Sequence, residues 1–280
     1  MNSEVLFYII IIIFACGFSG WFWCKRRAFN QAMSRPFTPN EIQVIKKNWP
    51  IFDVLSPALQ GQLAYNMKRF LYEKEFIGCA GLSVTDEIRL TIAFGASLLL
   101  LNRPHNFYPK LRWIYVYPGA FASQRDIRDE NGVVTTQYKG MLGESWDNGR
   151  VVLSWYDVAE GAHDFSDGRN VVLHEFAHQL DHESGSTNGS PLHRNEEQAK
   201  LWAEVMAHEF IQLQHLVNNH QPSVIDAYGA TNAAEFFAVS TETFYEKPVL
   251  LEQYHPQLFR IFCDYYCVDP RQWQTKLALH

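Results

Sequence analysis

The sequence lacks the features that mark nucleic-acid-binding and disulfide-stabilised proteins. It has 24 basic against 30 acidic residues, a formal net charge of −6, and no basic stripe that would neutralise phosphates. Only five cysteines occur in 280 residues. This odd number, without paired spacings, argues against a disulfide scaffold and fits a reducing compartment. The sequence also has no internal repeat. With 47% apolar residues, we expect a globular protein that does not bind nucleic acid.

One apolar stretch, residues 5–24, contains no charge and is long enough to cross the core of a bilayer. Trp21 and Trp23 lie at its end, where interfacial aromatic residues are common, and three basic residues follow at once. A cleaved signal peptide is the alternative, but its basic residues precede the apolar run. The sequence therefore predicts a single-pass membrane anchor at residues 1–27, with the rest of the chain in the cytoplasm of a bacterium, at its inner membrane.

For the remaining chain, the sequence predicts a linker at residues 28–40 and one domain at residues 41–280. The first part of this domain, 41–102, is predicted to be helical, and the second part, 103–280, carries the motifs described below. The predicted fold class is α+β, mostly helical with a small sheet. Predicted helices cover 39–48, 56–75, 87–101, 171–181, 196–218, 233–245 and 250–267, and predicted strands cover 112–117, 133–138 and 151–155.

The segment Val171–Asp181 (VVLHEFAHQLD) contains the motif His-Glu-x-x-His. Residues four apart lie on the same face of a helix, so His174 and His178 can direct both imidazoles at one zinc ion. Glu175 projects to one side of the pair, where it can take a proton from water instead of binding the metal. The apolar neighbours predict a buried helix. An amphipathic helix with ordinary core histidines is the alternative.

Asp181 lies one turn beyond His178, on the same side of the predicted helix. There it can accept a hydrogen bond from a ligand imidazole. The alternative is an ordinary residue of the last helical turn. The extended motif HExxHxxGxxH would need glycine in place of Asp181 and histidine in place of Ser184, so that class of site is excluded.

A catalytic zinc usually has three protein ligands, and a second apolar helix offers the third. Asn232 is a plausible N-cap for this helix, and Glu235 follows near its start. Glu242 lies two turns further on, and the two carboxylates share a face. One can bind the metal while the other orients a ligand histidine. Spacing alone favours Glu235 over Glu242 as the metal ligand.

Three segments of the chain resemble one known family of enzymes. HEFAHQLD, AEFFAVSTETF and GLSVTDEIRLTIAFGASLLLLN are similar to the MtfA (Mlc titration factor A) family of zinc peptidases, over about residues 37–267. That family has a zincin-like, gluzincin-type core similar to that of anthrax lethal factor. The resemblance implies one Zn²⁺ per chain, with His174, His178 and Glu235 as its ligands.

The resemblance also implies roles for two further residues, Glu175 as the base and Tyr228 as a hydrogen-bond donor to the transition state. Without the resemblance, Tyr228 is only a tyrosine directly before a glycine, a pattern more typical of a packed loop residue than of a catalytic one. Residues 143–155 are a candidate edge strand for an extended peptide, with an ordinary core strand as the alternative.

The predicted function is therefore that of a membrane-anchored zinc metallopeptidase, whose partner is a peptide or protein substrate. The main alternative is a membrane-tethered module that sequesters a regulatory protein, such as the sugar-responsive transcriptional repressor that the family resemblance implies. A closed structural zinc site would prefer four ligands, often cysteines, and no cysteine lies near the motif. A zinc hydrolase acting on a non-peptide amide is a third interpretation.

Overall fold

The structure, a computed structural model, describes residues 3–103, 107–119, 122–128, 134–140 and 149–277. The chain divides into two compact units, Met1–Thr38 and Pro39–His280. In the first unit, helix α1 (Ser3–Ser34) continues through residues 28–34, where the sequence predicts a linker. Among the described residues, no helix combines the length and the apolar character needed to span a membrane. The membrane anchor predicted at residues 1–27, with its apolar stretch at 5–24, is therefore not supported.

The second unit is mostly helical with a small sheet, which confirms the α+β class. Its helices are α2 (Pro39–Asn48), α3 (Ile51–Val54), α4 (Pro57–Glu73), α5 (Asp86–Leu98), α6 (Trp155–His163), α7 (Val171–His182), α8 (Glu196–Asn218), α9 (Ala233–Glu246), α10 (Pro248–Tyr254), α11 (Pro256–Tyr266) and α12 (Arg271–Leu277). Its strands are β1 (Glu75–Gly78), β2 (Trp113–Tyr117), β3 (Ala122–Arg128), β4 (Val134–Gly140) and β5 (Arg150–Ser154).

Three of the strands form a parallel sheet in the order β1-β2-β5. Ile114 of the central strand β2 pairs with Phe76 of β1 and with Val151 of β5. Alternate residues of β2 and β5 are buried, as expected for strands with one face on the core. Strand β5 lies at one edge of this described sheet. Residues 143–148 of the predicted edge strand lie outside the described residues.

A separate antiparallel pair is formed by β3 and β4. Strand β4 corresponds to the strand predicted at 133–138, and its partner β3 is not predicted from the sequence. Strand β1 is a second difference, because the helix predicted over 56–75 ends at Glu73. Non-local bonds account for this end: the Lys74 ammonium donates to the carbonyls of Tyr108 and Leu111 at 2.8 and 2.9 Å, and β1 pairs with β2.

The helix predicted over 250–267 is two helices, α10 and α11, which meet at His255 and Pro256. His255 has φ −135° and ψ 59°, outside the helical region. A proline has no amide hydrogen and disfavours a helical conformation in the residue before it, so the helix breaks at this point. The short terminal helix α12 is also not predicted from the sequence.

Helices α5, α7 and α9 form the buried centre of the second unit. Helix α5 approaches α7 closely at Gly95, where a Cβ atom would lie 2.6 Å from Cγ1 of Val172. The Trp49 ring stacks on Phe94 of α5 at a centroid distance of 4.7 Å, and its indole donates to the Thr91 carbonyl. Helix α7 is therefore held in a packed core, as its apolar sequence predicts.

Candidate active site

Helix α7 begins at a fixed N-cap. The Asn170 side-chain oxygen accepts a hydrogen bond from the Leu173 amide at 3.2 Å, and its side-chain nitrogen donates to the Gly161 carbonyl at 2.8 Å. Asparagine is favoured at this position because its oxygen satisfies an amide that the helix leaves without a partner. The cap therefore sets the start of α7 one turn before His174.

The structure brings His174, His178 and Glu235 together as a buried group that can hold a metal ion. The two Nε2 atoms of the histidines lie 3.2 Å apart. Oε2 of Glu235 lies 3.1 Å from Nε2 of His174 and 3.4 Å from Nε2 of His178. Asn232 caps α9 by accepting from the Glu235 amide at 3.0 Å. Glu235 thus lies in the first turn of α9, and His178 lies about one turn beyond His174 on α7.

Glu242 fixes the orientation of the first histidine. Its Oε1 lies 2.8 Å from Nδ1 of His174, and its Oε2 accepts from the Asn170 amide at 2.5 Å. Because a carboxylate only accepts hydrogen bonds, Nδ1 carries the hydrogen and the lone pair of a neutral imidazole lies on Nε2. Two imidazole nitrogens and one carboxylate oxygen form the ligand set of many catalytic zinc sites, one ligand fewer than closed structural sites.

The charges of this group favour a cation. Burial alone would raise the pKa of Glu235, but its bonds to His174 and His178 outweigh this and lower it to about 2. Burial lowers the pKa of His178 to about 4. Burial also acts to lower the pKa of His174, yet its bonds to Glu235 and Glu242 raise it well above the usual value. At neutral pH the group therefore holds an ionised Glu235 and a protonated His174, whose Nε2 proton a metal ion can replace.

Glu175 and Tyr228 lie beside this group. The Glu175 side chain is buried and lines a cleft together with Tyr228. Tyr228 lies in a 3-10 turn (Ala227–Ala230), with its ring centroid 6.1 Å from that of His174. Burial and the nearby carboxylates of Glu235 and Glu175 raise the pKa of Tyr228 to about 12. Its hydroxyl therefore keeps its proton at neutral pH and can donate a hydrogen bond.

Asp181 binds the backbone of a loop and does not make the predicted contact with an imidazole. Its Oδ2 accepts from the Gly189 amide at 2.6 Å. In the described part of the chain, its hydrogen bonds join no histidine. Burial raises the pKa of Asp181 to about 6, against the opposing effect of amides from residues 188–190. Asp181 thus connects the end of α7 to the segment that leads to α8.

Several residues that support the site are not identified from the sequence. They are Asn170, Glu246 and the ion pair between Arg169 and Asp226, whose atoms lie 2.9 Å apart. Asp226 also accepts from the Tyr228 amide, so this pair joins the segment before α7 to the turn that carries Tyr228. Only Asn170 has a sequence signal, because an asparagine directly precedes the apolar helical run.

The cleft has a volume of about 690 Å³. It is lined on the site side by His174, Glu175, Tyr228 and Glu242, and its lining also includes β5, α6 and the segment that leads to α7. This volume is within the range of small-molecule binding sites. The edge strand β5 and one ligand candidate, His174, therefore face one shared space.

Comparison with known proteins gives matches over most of the chain. The family model of the glucose-regulated metallo-peptidases M90 matches residues 21–267. An uncharacterised protein of Synechocystis sp. is 39% identical over 262 residues, 93% of this chain and 94% of that protein. Mlc titration factor A of Yersinia pestis is 31% identical over 238 residues, 82% of this chain and 87% of that protein. The same values apply to the Yersinia pseudotuberculosis protein of that name. This confirms the resemblance: the chain belongs to the M90 metallo-peptidase family, the family of Mlc titration factor A.

Proposed function

We propose that this protein is a zinc-dependent metallopeptidase that hydrolyses peptide bonds. The observation that carries the proposal is the buried group of His174, His178 and Glu235, with Glu175 and Tyr228 beside it in one cleft. Membership of a metallo-peptidase family supports the same conclusion.

His174, His178 and Glu235 would hold one Zn²⁺ per chain. When bound, zinc supplies a Lewis acid that polarises a peptide carbonyl and makes water more acidic. The donor set fits this ion, because nitrogen and carboxylate ligands suit zinc and the hydrogen bond to Glu242 sets the required tautomer of His174.

Glu175 acts as the general base. It takes a proton from the attacking water as the oxygen bonds to the peptide carbonyl carbon, and it delivers that proton to the leaving nitrogen as the C–N bond breaks. This role is supported by the Glu175 side chain, which is buried and lines the cleft together with the ligand candidate His174. Tyr228, whose hydroxyl stays protonated, donates a hydrogen bond to the oxyanion that forms on the carbonyl oxygen.

The substrate is an extended segment of peptide. Residues Val152, Leu153 and Ser154 of β5 line the cleft, and β5 is an edge strand of the described parallel sheet. An edge strand offers backbone amides and carbonyls that a peptide can join as an added strand. In binding of this type, β5 forms hydrogen bonds with the backbone of the substrate, and the cleft wall contacts and selects its side chains.

Capture of a regulatory protein is a second candidate function. It is favoured by the name of the Yersinia relatives, Mlc titration factor A, which describes titration rather than cleavage. The two roles are compatible, since a captured protein segment can occupy the same cleft as a substrate. A Glu175→Gln variant separates them, because it removes the base and keeps the shape of the side chain.

The test is to measure zinc content and cleavage of fluorescein-labelled casein with the full-length wild-type and Glu175→Gln proteins. We expect about one zinc per chain in both, and a loss of cleavage in the variant of about 10²–10⁴-fold, the usual contribution of a general base. A folded wild-type protein without stoichiometric zinc would refute the metal site. Zinc without cleavage by the wild-type protein would refute the peptidase and leave capture as the function.

A further inference from the structure

A buried carboxyl group at Glu246 has no part in the proposed chemistry, yet it binds the segment that leads into α7. The Glu246 side chain is fully buried. Its Oε2 accepts from the amides of Gly168 and Arg169 at 2.8 and 3.0 Å, and its Oε1 accepts from the Asn170 side chain at 3.1 Å. One side chain on α9 thus holds three consecutive residues.

The backbone of this segment is shaped for that contact. Gly168 has φ +77°, a conformation that side chains other than glycine rarely adopt. A Cβ atom at this position would also lie 3.1 Å from the ammonium of Lys247. The glycine turn allows two successive amides, those of Gly168 and Arg169, to reach the same carboxyl oxygen.

A short series of bonds connects Glu246 to the ligand candidate His174. The Glu246 carboxyl group accepts from the Asn170 side chain, and the backbone amide of Asn170 donates to Glu242 at 2.5 Å. Glu242 in turn bonds to Nδ1 of His174 at 2.8 Å. Glu235, Glu242 and Glu246 are spaced by seven and four residues, which puts them on one side of α9. That side therefore carries one metal-ligand candidate and two groups that fix α7 against it.

We propose that Glu246 is a positioning residue of the metal site, which sets the angle at which His174 meets the metal. This inference rests on the proposed function. Without Glu246, the segment at residues 168–170 loses three bonds, and the start of α7 can shift relative to α9. Burial, together with the neighbouring Glu242, raises the pKa of Glu246 to about 9. The group is therefore neutral near pH 7, and it accepts bonds without adding a second buried negative charge.

A purely structural role is the competing explanation, and metal binding separates the two. The variants are Glu246→Ala, Glu246→Gln and a control, Glu209→Ala. Glu209 is also buried, and its carboxylate bonds to His255 at 2.7 Å, apart from the 168–170 segment. For each full-length protein, we would measure the unfolding temperature, the Kd for Co²⁺ and the visible absorption spectrum of the cobalt form, which reports the ligand geometry.

We expect Glu246→Ala to raise the Kd for Co²⁺ about 10–100-fold, as loss of groups that orient metal ligands does, and to change the cobalt spectrum. Glu246→Gln keeps an acceptor for the two amides but faces the Asn170 side chain with a donor, so its change should be smaller and in the same direction. Glu209→Ala should lower the unfolding temperature and leave the Kd and the spectrum as in the wild-type protein.

The proposal is overturned if folded Glu246→Ala or Glu246→Gln protein binds Co²⁺ with the wild-type Kd and spectrum. If Glu246→Ala does not fold, the Glu246→Gln protein decides. It is also overturned if Glu209→Ala changes the Kd as much as the Glu246 variants do, because the effect would then be one of general stability. A wild-type protein that binds no Co²⁺ would instead refute the proposed metal site, and the positioning role with it.

Discussion

The bond between Glu242 and His174 gives the sharpest test of how the metal site is built, through the variant Glu242→Gln. The carboxylate of Glu242 accepts on both oxygens, from the Asn170 amide and from Nδ1 of His174. A glutamine has one oxygen and one NH₂ group. If its oxygen keeps the bond to the Asn170 amide, its NH₂ group faces Nδ1 and makes that atom an acceptor. The hydrogen of the imidazole then lies on Nε2, the atom that the metal needs.

The size of this effect follows from the two bonds involved. At a pH high enough to leave His174 neutral, both hydrogen bonds can still form in the variant, so the free energy of unfolding of the metal-free protein should change by no more than about 1 kcal/mol. Metal binding must instead restore the less favoured tautomer of His174. Loss of such an orienting partner typically weakens metal affinity about 10–100-fold. This corresponds to about 1.4–2.7 kcal/mol of binding free energy.

The assay is a competition titration of zinc against a chromophoric chelator, with urea unfolding of the metal-free proteins alongside. Glu252→Gln is the matched control, because Glu252 lies on the neighbouring helix α10 and pairs with Arg271. We expect a raised Kd only for Glu242→Gln. A Glu242→Gln protein with wild-type zinc affinity would refute the reasoning, since the tautomer of His174 would then not depend on Glu242.

Two further predictions concern protons and packing. Metal affinity should rise with pH. Burial acts to lower the pKa of His174, but bonds to two carboxylates outweigh this and raise it, so the metal must displace a proton. Below that pKa, the apparent Kd for the metal should fall up to about tenfold for each unit of pH increase. Calorimetry in buffers of different ionisation enthalpy measures this release, and binding without proton release at pH 7 would contradict it. Gly95→Ala should lower the free energy of unfolding by about 1–3 kcal/mol, because its Cβ would meet Val172 at 2.6 Å. In urea unfolding, the control Gly61→Ala should not be destabilised, since its Cβ would meet nothing within 4 Å.

The helices that carry the ligand candidates are predicted well because their signals are local. Helix α7 spans Val171–His182 and α9 spans Ala233–Glu246, each within one residue of the prediction. Asn232 caps α9 as predicted, and an apolar run marks the buried character of both helices. The spacing of His174 and His178 also specifies their shared face, because four residues make about one helical turn.

Contacts between distant segments are what the sequence does not reveal. Strand β1 exists because Glu75–Gly78 pairs with β2, and nothing within those four residues separates them from the end of a helix. The roles of Asp181 and Glu246 depend in the same way on backbone amides of other segments. A backbone amide has no sequence signature, so a carboxylate that binds one cannot be told from a carboxylate that binds an imidazole.

Under the proposed function, the reaction and the selection of substrates are divided between different parts of the chain. The metal-ligand candidates come from α7 and α9, whereas β5 and α6 supply other parts of the cleft lining. Substitutions in β5 and α6 can therefore alter which sequences enter the cleft while the ligand set stays intact. Members of the family can then differ in substrate specificity while they catalyse the same reaction. Exchange of β5 and α6 between two members should transfer substrate preference and leave the metal ligands unchanged.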